Sequence, residues 1–239
     1  MNTPIISCSQ LVKRFPNAPE PVLNGIDLEI FPGESVAIMG PSGSGKSTLL
    51  YALSGIDLPT SGQVWIDGTD ITGLSQKELS RLRLTKLGFV FQQSHLLSNL
   101  SLLDNVVFPG MEAGRDDAPA RGRQLLAQVG LGDLADRSIT QASGGQLQRV
   151  SICRALINDP AVVFCDEPTG ALNSSATAEV LDLLDEVNAQ GTTLVIVTHD
   201  PAVTARCQRL LFLRDGVIHD ERQRTEPGEL TAWLVSHGF

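Results

Sequence analysis

The run Gly40-Pro41-Ser42-Gly43-Ser44-Gly45-Lys46-Ser47-Thr48 constrains this 239-residue chain more than any other stretch. It fits G-x-x-x-x-G-K-[ST] and lies where that pattern has meaning, after the short apolar run Ser35 to Met39 and before Leu49, Leu50 and Leu53. A strand that turns through glycines into a helix aims backbone N–H groups and the positive end of the helix at one point, which attracts anions. The glycines let the backbone wrap phosphates, Lys46 reaches the outer ones, and the Ser47 hydroxyl is a ligand for Mg²⁺. A serine-glycine turn with a chance lysine would need neither the flanking strand nor the helix.

The sequence around this loop predicts its setting. Ile26, Leu28 and Ile30 alternate with Asp27 and Glu29, the mark of a half-buried strand, and the turn Pro32-Gly33-Glu34 follows. Val64 and Ile66 before Asp67-Gly68 suggest another strand end, so an antiparallel lobe brackets the loop. Ser75 with Glu78 reads as a capping box opening a helix towards Lys86. After the strand-like Gly88 to Phe91, the chain turns helical: Ser101 with Asp104 marks a helix start, and Leu125, Leu126 and Val129 carry helical spacing.

From Ala161 buried strands alternate with helices. Strands are expected at Ala161 to Cys165, Thr192 to Val197 and Leu210 to Leu213, with helices at about Ser174 to Asn188 and after Asp200. That alternation implies a mostly parallel sheet covered on both faces. Leu230, Trp233 and Leu234 suggest a docked surface helix in the tail. The expectation is one α/β domain over 1–239, with a core and β lobe at about 1–92 and 159–239 and an inserted helical lobe at about 93–158.

Further candidates sit where strands end. Phe164-Cys165-Asp166-Glu167 closes a buried strand with two carboxylates, and ligands bind at the carboxyl ends of parallel strands. Asp166 is placed to hold a magnesium shell and Glu167 to orient or deprotonate an attacking water. The bland alternative, a solvated acidic turn before Pro168, sits badly with four apolar residues directly upstream. His199 ends another buried strand, where it could hydrogen-bond a γ-phosphate, and Gln92 occupies a similar place and could sense magnesium or water. His95, His219 and His237 read as structural. A second paired-glycine loop, Ala142-Ser143-Gly144-Gly145-Gln146, opens a helix near Gln146 and so offers a second phosphate site. It falls in the helical lobe, apart from the first loop, which two chains could reconcile by sharing sites.

Composition narrows the partners. A net charge of -9 argues against a surface that coats nucleic acid, since such binders need basic patches. Cys8, Cys153, Cys165 and Cys207 lie far apart with no C-x-x-C, and read as reduced thiols of a cytosolic protein. MNTPIISCSQ lacks the features of a signal peptide. Apolar runs such as Ala161 to Cys165 fall far below the roughly 18 residues of a membrane helix, so membrane work would pass through a partner.

In order and spacing, Phe15, GPSGSGKST, Gln92, ASGGQ, FCDEP, the loop Thr169 to Asn173 and His199 resemble the ATP-binding subunit of an ABC transporter, over nearly the whole chain. FVFQQSHLLSNLSLLDNVVFP and DEPTGALN are similar to the branch with macrolide and antimicrobial-peptide exporters, lipoprotein-releasing complexes and FtsE-type division ATPases. The resemblance implies a P-loop NTPase fold, ATP and Mg²⁺ as ligands, and hydrolysis that drives a separate integral-membrane permease from the cytoplasmic face of the membrane. It implies a head-to-tail dimer, a homodimer or a pairing with a related subunit, with each ATP between the Lys46 loop of one subunit and Ser143, Gly144, Gly145 and Gln146 of the other. Phe15 would stack on adenine where the family usually has tyrosine. Glu167 would activate water, His199 would hold the γ-phosphate, Ser47, Gln92 and Asp166 would serve the metal, and Ala171, Leu172 and Asn173 would wire one site to the other. Asn173 departs from the usual aspartate, and Ala142 from a common leucine that matters to packing. Cargo would be peptide, lipoprotein or antibiotic. The rivals are an FtsE-type mechanical signaller and a soluble ABC ATPase; against the second, this sequence shows neither the long coiled coils of DNA-repair members nor the two ATPase domains of translation factors.

Overall fold

The computed structural model describes residues 3–16, 18–224 and 227–236. His237, Phe239 and the side chain of Leu234 lie outside what is described. Contacts divide the chain into two compact units, Met1–Leu79 with Thr193–Phe239, and Ser80–Thr192.

The first unit opens with β1 (Ile6–Lys13) and β2 (Leu23–Ile30), which pair antiparallel from Ile6↔Ile30 to Lys13↔Leu23. β3 (Ser35–Met39), buried along its whole length, leads through the glycine loop into α1 (Lys46–Leu53). β4 (Ser61–Ile66) and β5 (Thr69–Asp70) complete an antiparallel sheet of order β2-β1-β4-β5, the lobe that the sequence predicts. β1 carries no clean alternation because it bulges at Gln10, whose φ is 48°. Asp27 holds the bulge: one carboxylate oxygen accepts from Gln10 N at 2.8 Å and the other from Gln10 Nε2 at 2.6 Å. A bulge inserts an extra residue and flips the side-chain phase, which hides a strand from a two-residue period.

α2 (Gln76–Lys86) leads into the second unit, where β6 (Leu87–Phe91) follows. Its capping pair forms: Glu78 Oε2 accepts from Ser75 N at 2.8 Å. α3 (Leu102–Glu112), α4 (Ala118–Gln128) and α5 (Gly144–Leu156) pack around Leu102, Val106, Leu126, Val150, Cys153 and Ile157. Each such leucine, valine or isoleucine contributes about 1.5–3 kcal/mol on burial. α3 starts at the expected cap, Ser101 Oγ accepting from Asp104 N at 3.0 Å. β7 (Val162–Asp166) pairs parallel with β6, and α6 (Ser174–Ala189) follows.

The chain then returns to the first unit with β8 (Thr193–Val197), α7 (Pro201–Thr204), β9 (Arg209–Arg214), β10 (Val217–Gln223) and α8 (Pro227–Ser236). β9, β3 and β8 run parallel, with Val36 opposite Arg209 and Val195. β10 is an antiparallel edge strand joined to β9 through Asp215 and Gly216, both at positive φ, and the sequence reading did not foresee it. The tail helix docks as expected: Trp233, 8% exposed, meets the Phe212 ring edge-on at 5.1 Å, with the Arg222 guanidinium 4.5 Å from its own ring centroid. All four cysteines are buried and in no disulfide. Burial, with Asp27 nearby, pushes the Cys8 thiol up to about 12, and burial alone does the same for Cys153.

Candidate functional site

The first unit gathers a phosphate cradle and a histidine at one end of its parallel strands. A Cβ on Gly40 would stand 2.0 Å from the carbonyl oxygen of Leu213 and 2.9 Å from Ser44 Oγ, so the loop can leave β3 in this path only without a side chain. Pro41, Ser42 and Gly43 form the outer turn, which closes as Ser44 N donates to Pro41 O at 3.2 Å. Gly45, at φ 101°, is the N-cap of α1, and it supplies no side-chain hydrogen bond to the N-terminal turn with Lys46, Ser47 and Thr48. Lys46 Nζ donates to the carbonyls of Gly40 and Pro41, each at 2.9 Å, which centres the ammonium on the loop. Leu49, Leu50 and Leu53, all fully buried, anchor the helix behind it.

His199 follows β8 at the same end, because Val197 lies opposite Ile38, two residues before Gly40. Its neighbours are fixed: Thr198 N donates to Ile38 O at 3.2 Å, Thr198 Oγ1 accepts from Asp200 N at 3.0 Å, and Asp200 Oδ1 accepts from Ala202 N at 2.8 Å. The imidazole itself is exposed. Phe15, 40% exposed, lies just past β1 with Lys13 Nζ 5.4 Å from its ring centroid.

The second unit gathers the acidic pair, the glutamine and the second glycine loop. Phe91 lies opposite Asp166, so Gln92 and Glu167 leave their parallel strands at the same end. Glu167 stands at φ 50°, a left-handed conformation that costs a non-glycine residue about 1–3 kcal/mol and clusters at functional sites. The loop Thr169 to Asn173 folds back beneath it, Gly170 N donating to Glu167 O at 3.1 Å and Leu172 N to Thr169 O at 3.0 Å. Gln92 leans on this loop: its Nε2 is 2.9 Å from where a Cβ on Gly170 would be.

Ser143 and Gln146 close a reciprocal capping box at the start of α5, Ser143 N donating to Gln146 Oε1 at 2.8 Å and Gln146 N to Ser143 Oγ at 3.3 Å. The helix begins two residues earlier than the sequence suggests, at Gly144. Gly145 lets α5 meet α6, since a Cβ there would be 2.7 Å from that of Ala176. Asn173 caps α6, its Oδ1 accepting from Ala176 N at 2.9 Å. The N-termini of α5 and α6, and with them Ser143 to Gln146 and Ala171 to Asn173, therefore lie side by side. Ala142 packs partly buried against the core of the unit, in line with a role in packing. Two polar side chains that no sequence motif singles out, Gln148 and Arg154, also reach the chain beside Gln92.

Comparison with known proteins supplies the family. The family model described as ABC transporter matches residues 23–170. The chain is 50% identical over 216 residues to the macrolide export ATP-binding/permease protein MacB of Rhodopseudomonas palustris, covering 89% of this chain and 33% of that protein. It is 45% identical over 205 residues to the lipoprotein-releasing system ATP-binding protein LolD of Aquifex aeolicus, covering 85% and 92%. The chain thus spans about a third of the MacB relatives it matches and nearly all of LolD. Among solved structures, it is similar to the dimeric post-hydrolysis state of the ATP-binding cassette MJ0796 bound to ADP and Pi, with a TM-score of 0.85 and 37% identity over 92% of this chain and 99% of that one. No helix among the described residues is long and apolar enough to cross a membrane. On these grounds the chain belongs to the ABC transporter family and is an ATP-binding ABC ATPase domain with the ABC cassette fold.

Proposed function

We propose that the chain is the ATP-hydrolysing subunit of a transporter, working as a dimer on the cytoplasmic face of a membrane and driving a permease on a separate chain. The observation that carries this is the presence in one chain of two anion-suited helix N-termini, the Lys46 loop and the Ser143 loop, on separate units. A head-to-tail dimer uses each loop of each subunit once, and the similar cassette MJ0796 is described as dimeric with ADP and Pi.

In this reading the core at about 1–92 and 159–239 holds the nucleotide and the helical lobe at about 93–158 meets the permease. Gly40 to Thr48 wrap the phosphates and Phe15 stacks on adenine. Ser143, Gly144, Gly145 and Gln146 of the second subunit close over the γ-phosphate, while Ala171, Leu172 and Asn173 run beside them. Glu167 orients the attacking water and accepts its proton, and His199 donates to the γ-phosphate. The residues fit magnesium: a hydroxyl, an amide and a carboxylate, from Ser47, Gln92 and Asp166, are the hard oxygen donors this ion takes. Once bound, the ion neutralises charge that develops on the phosphate oxygens. Nothing here calls for nucleic acid.

The relatives' names speak of macrolide export and of lipoprotein release, which supports an antibiotic or a lipoprotein as cargo, with a peptide as the third candidate. Tagging the chain, solubilising host membranes in mild detergent and identifying what co-purifies tests the coupled reading. A polytopic protein at fixed stoichiometry is expected; recovery with soluble partners alone, or of the bare chain from the cytosol, rejects it. Energised uptake of a labelled cargo into inverted vesicles then separates transport from signalling.

Two residue assignments have direct tests. His199→Ala should bind ATP normally and hydrolyse it on the order of a hundredfold more slowly; unchanged turnover would remove His199 from the chemistry. Asn173→Asp keeps an N-cap acceptor and adds negative charge at a helix N-terminus, so thermal stability should hold or rise slightly. Against that steady fold, the rate or cooperativity of hydrolysis should change, and if neither moves, charge at this position is idle.

A further inference from the structure

We propose that Gln148 and Arg154 of α5 are positioning residues for Gln92, clamping the main chain on both sides of it; this rests on the reading of Gln92 as a contact to the metal. Gln148 is 3% exposed, and its Nε2 donates at 3.0 Å to the carbonyl of Phe91, the residue before Gln92. Further along the same helix, Arg154 donates from Nη2 to the carbonyl of Ser94 at 2.7 Å and from Nη1 to that of His95 at 2.8 Å. His95 itself takes a left-handed conformation, with φ 46°. Beyond it, buried Asn105 takes both polar groups of Leu97, accepting from its N at 2.7 Å and donating to its O at 3.1 Å.

Between these fixed points Gln92 and Gln93 are exposed. The peptide from which Gln92 springs is thus held on one side by the β6–β7 register, Phe91 opposite Asp166, and on the other by α5. A buried glutamine is costly where an aliphatic residue would pack as well, unless its hydrogen bond is needed. Here the bond fixes the plane of one peptide, and with it the reach of the next side chain towards Asp166. Because α5 also begins with Ser143, a displacement of its N-terminal end carries the Gln92 segment with it.

The test uses the full chain in a Glu167→Gln background, so that turnover is slow on the timescale of the titration. Mn²⁺ is titrated into protein saturated with ATP, and its dissociation constant is read by electron paramagnetic resonance. Gln148→Met keeps length and volume but loses the donor, and should weaken Mn²⁺ about tenfold, as loss of an outer partner of a metal ligand does. ATP affinity without metal should not change. Gln92→Ala should weaken Mn²⁺ by a similar factor, and the double variant by no more than either single one, since both remove the same contact. A role in folding alone would instead lower ATP affinity and add to the Gln92→Ala effect. Should Gln148→Met not fold, Arg154→Lys, which keeps the charge but reaches fewer carbonyls, should show a smaller shift in the same direction. If Gln92→Ala shifts Mn²⁺ and the α5 variants do not, the clamp is wrong while the reading of Gln92 stands. If Gln92→Ala itself has no effect, that reading fails and the clamp loses its purpose with it.

Discussion

Glu167→Gln is expected to lower ATP turnover by about 10²–10⁴-fold, the range contributed by a positioned general base, while leaving ATP bound. The substitution is clean because of the backbone at that position. Glu167 stands at φ 50°, and glutamine, with the same unbranched stem, meets the same strain, so the substitution removes the charge without adding backbone strain. The neighbouring Asp166 keeps its place at the end of β7. With hydrolysis stopped and both loops of each subunit engaged, the variant should elute as a dimer from a sizing column run with ATP and Mg²⁺. A monomer under those conditions would count heavily against a shared site.

Lys46→Ala should weaken ATP binding by at least about a hundredfold in equilibrium dialysis. Two interactions go at once. The ammonium is the positive charge at the centre of the loop, and its bonds to the Gly40 and Pro41 carbonyls, at 2.9 Å each, tie the loop's first turn to α1. Hydrogen bonds to charged groups contribute about 1.5–3 kcal/mol each, and about 1.4 kcal/mol is a factor of ten in affinity. Alanine is a good helix former, and the buried leucines behind it are untouched, so the circular dichroism spectrum should not change. Retained ATP affinity would mean that backbone N–H groups alone hold the phosphates.

The parts of the site legible in the sequence are those whose chemistry is confined to a few contiguous residues. GPSGSGKST announces its own turn, and Ser143 with Gln146, Ser75 with Glu78 and Ser101 with Asp104 announce helix starts, because each partner lies within one turn of the other. Buried strands such as β3, β7 and β8 were legible as apolar runs. β1 was hidden by the bulge at Gln10, and β10 by its exposure, since an edge strand with Asp220, Glu221 and Arg222 carries little apolar signal. The Asp215-Gly216 pair was the available clue to that hairpin. Gln148 and Arg154 left no mark at all, for their partners are main-chain carbonyls roughly sixty residues away, and any residue type offers a carbonyl.

The placement of the four thiols gives the molecule a built-in gauge of its own opening. Cys8 and Cys207 belong to one unit, Cys153 and Cys165 to the other, and all are buried. An alkylating reagent needs a thiolate in contact with solvent; burial denies that contact at all four sites, and Cys8 and Cys153 are in addition held near 12. Modification must then proceed through transiently opened molecules, at rates set by how often each unit breathes. Peptide mass spectrometry distinguishes the two pairs, so one labelling time course reads two opening equilibria. A nucleotide that steadies a single unit would slow one pair and leave the other running.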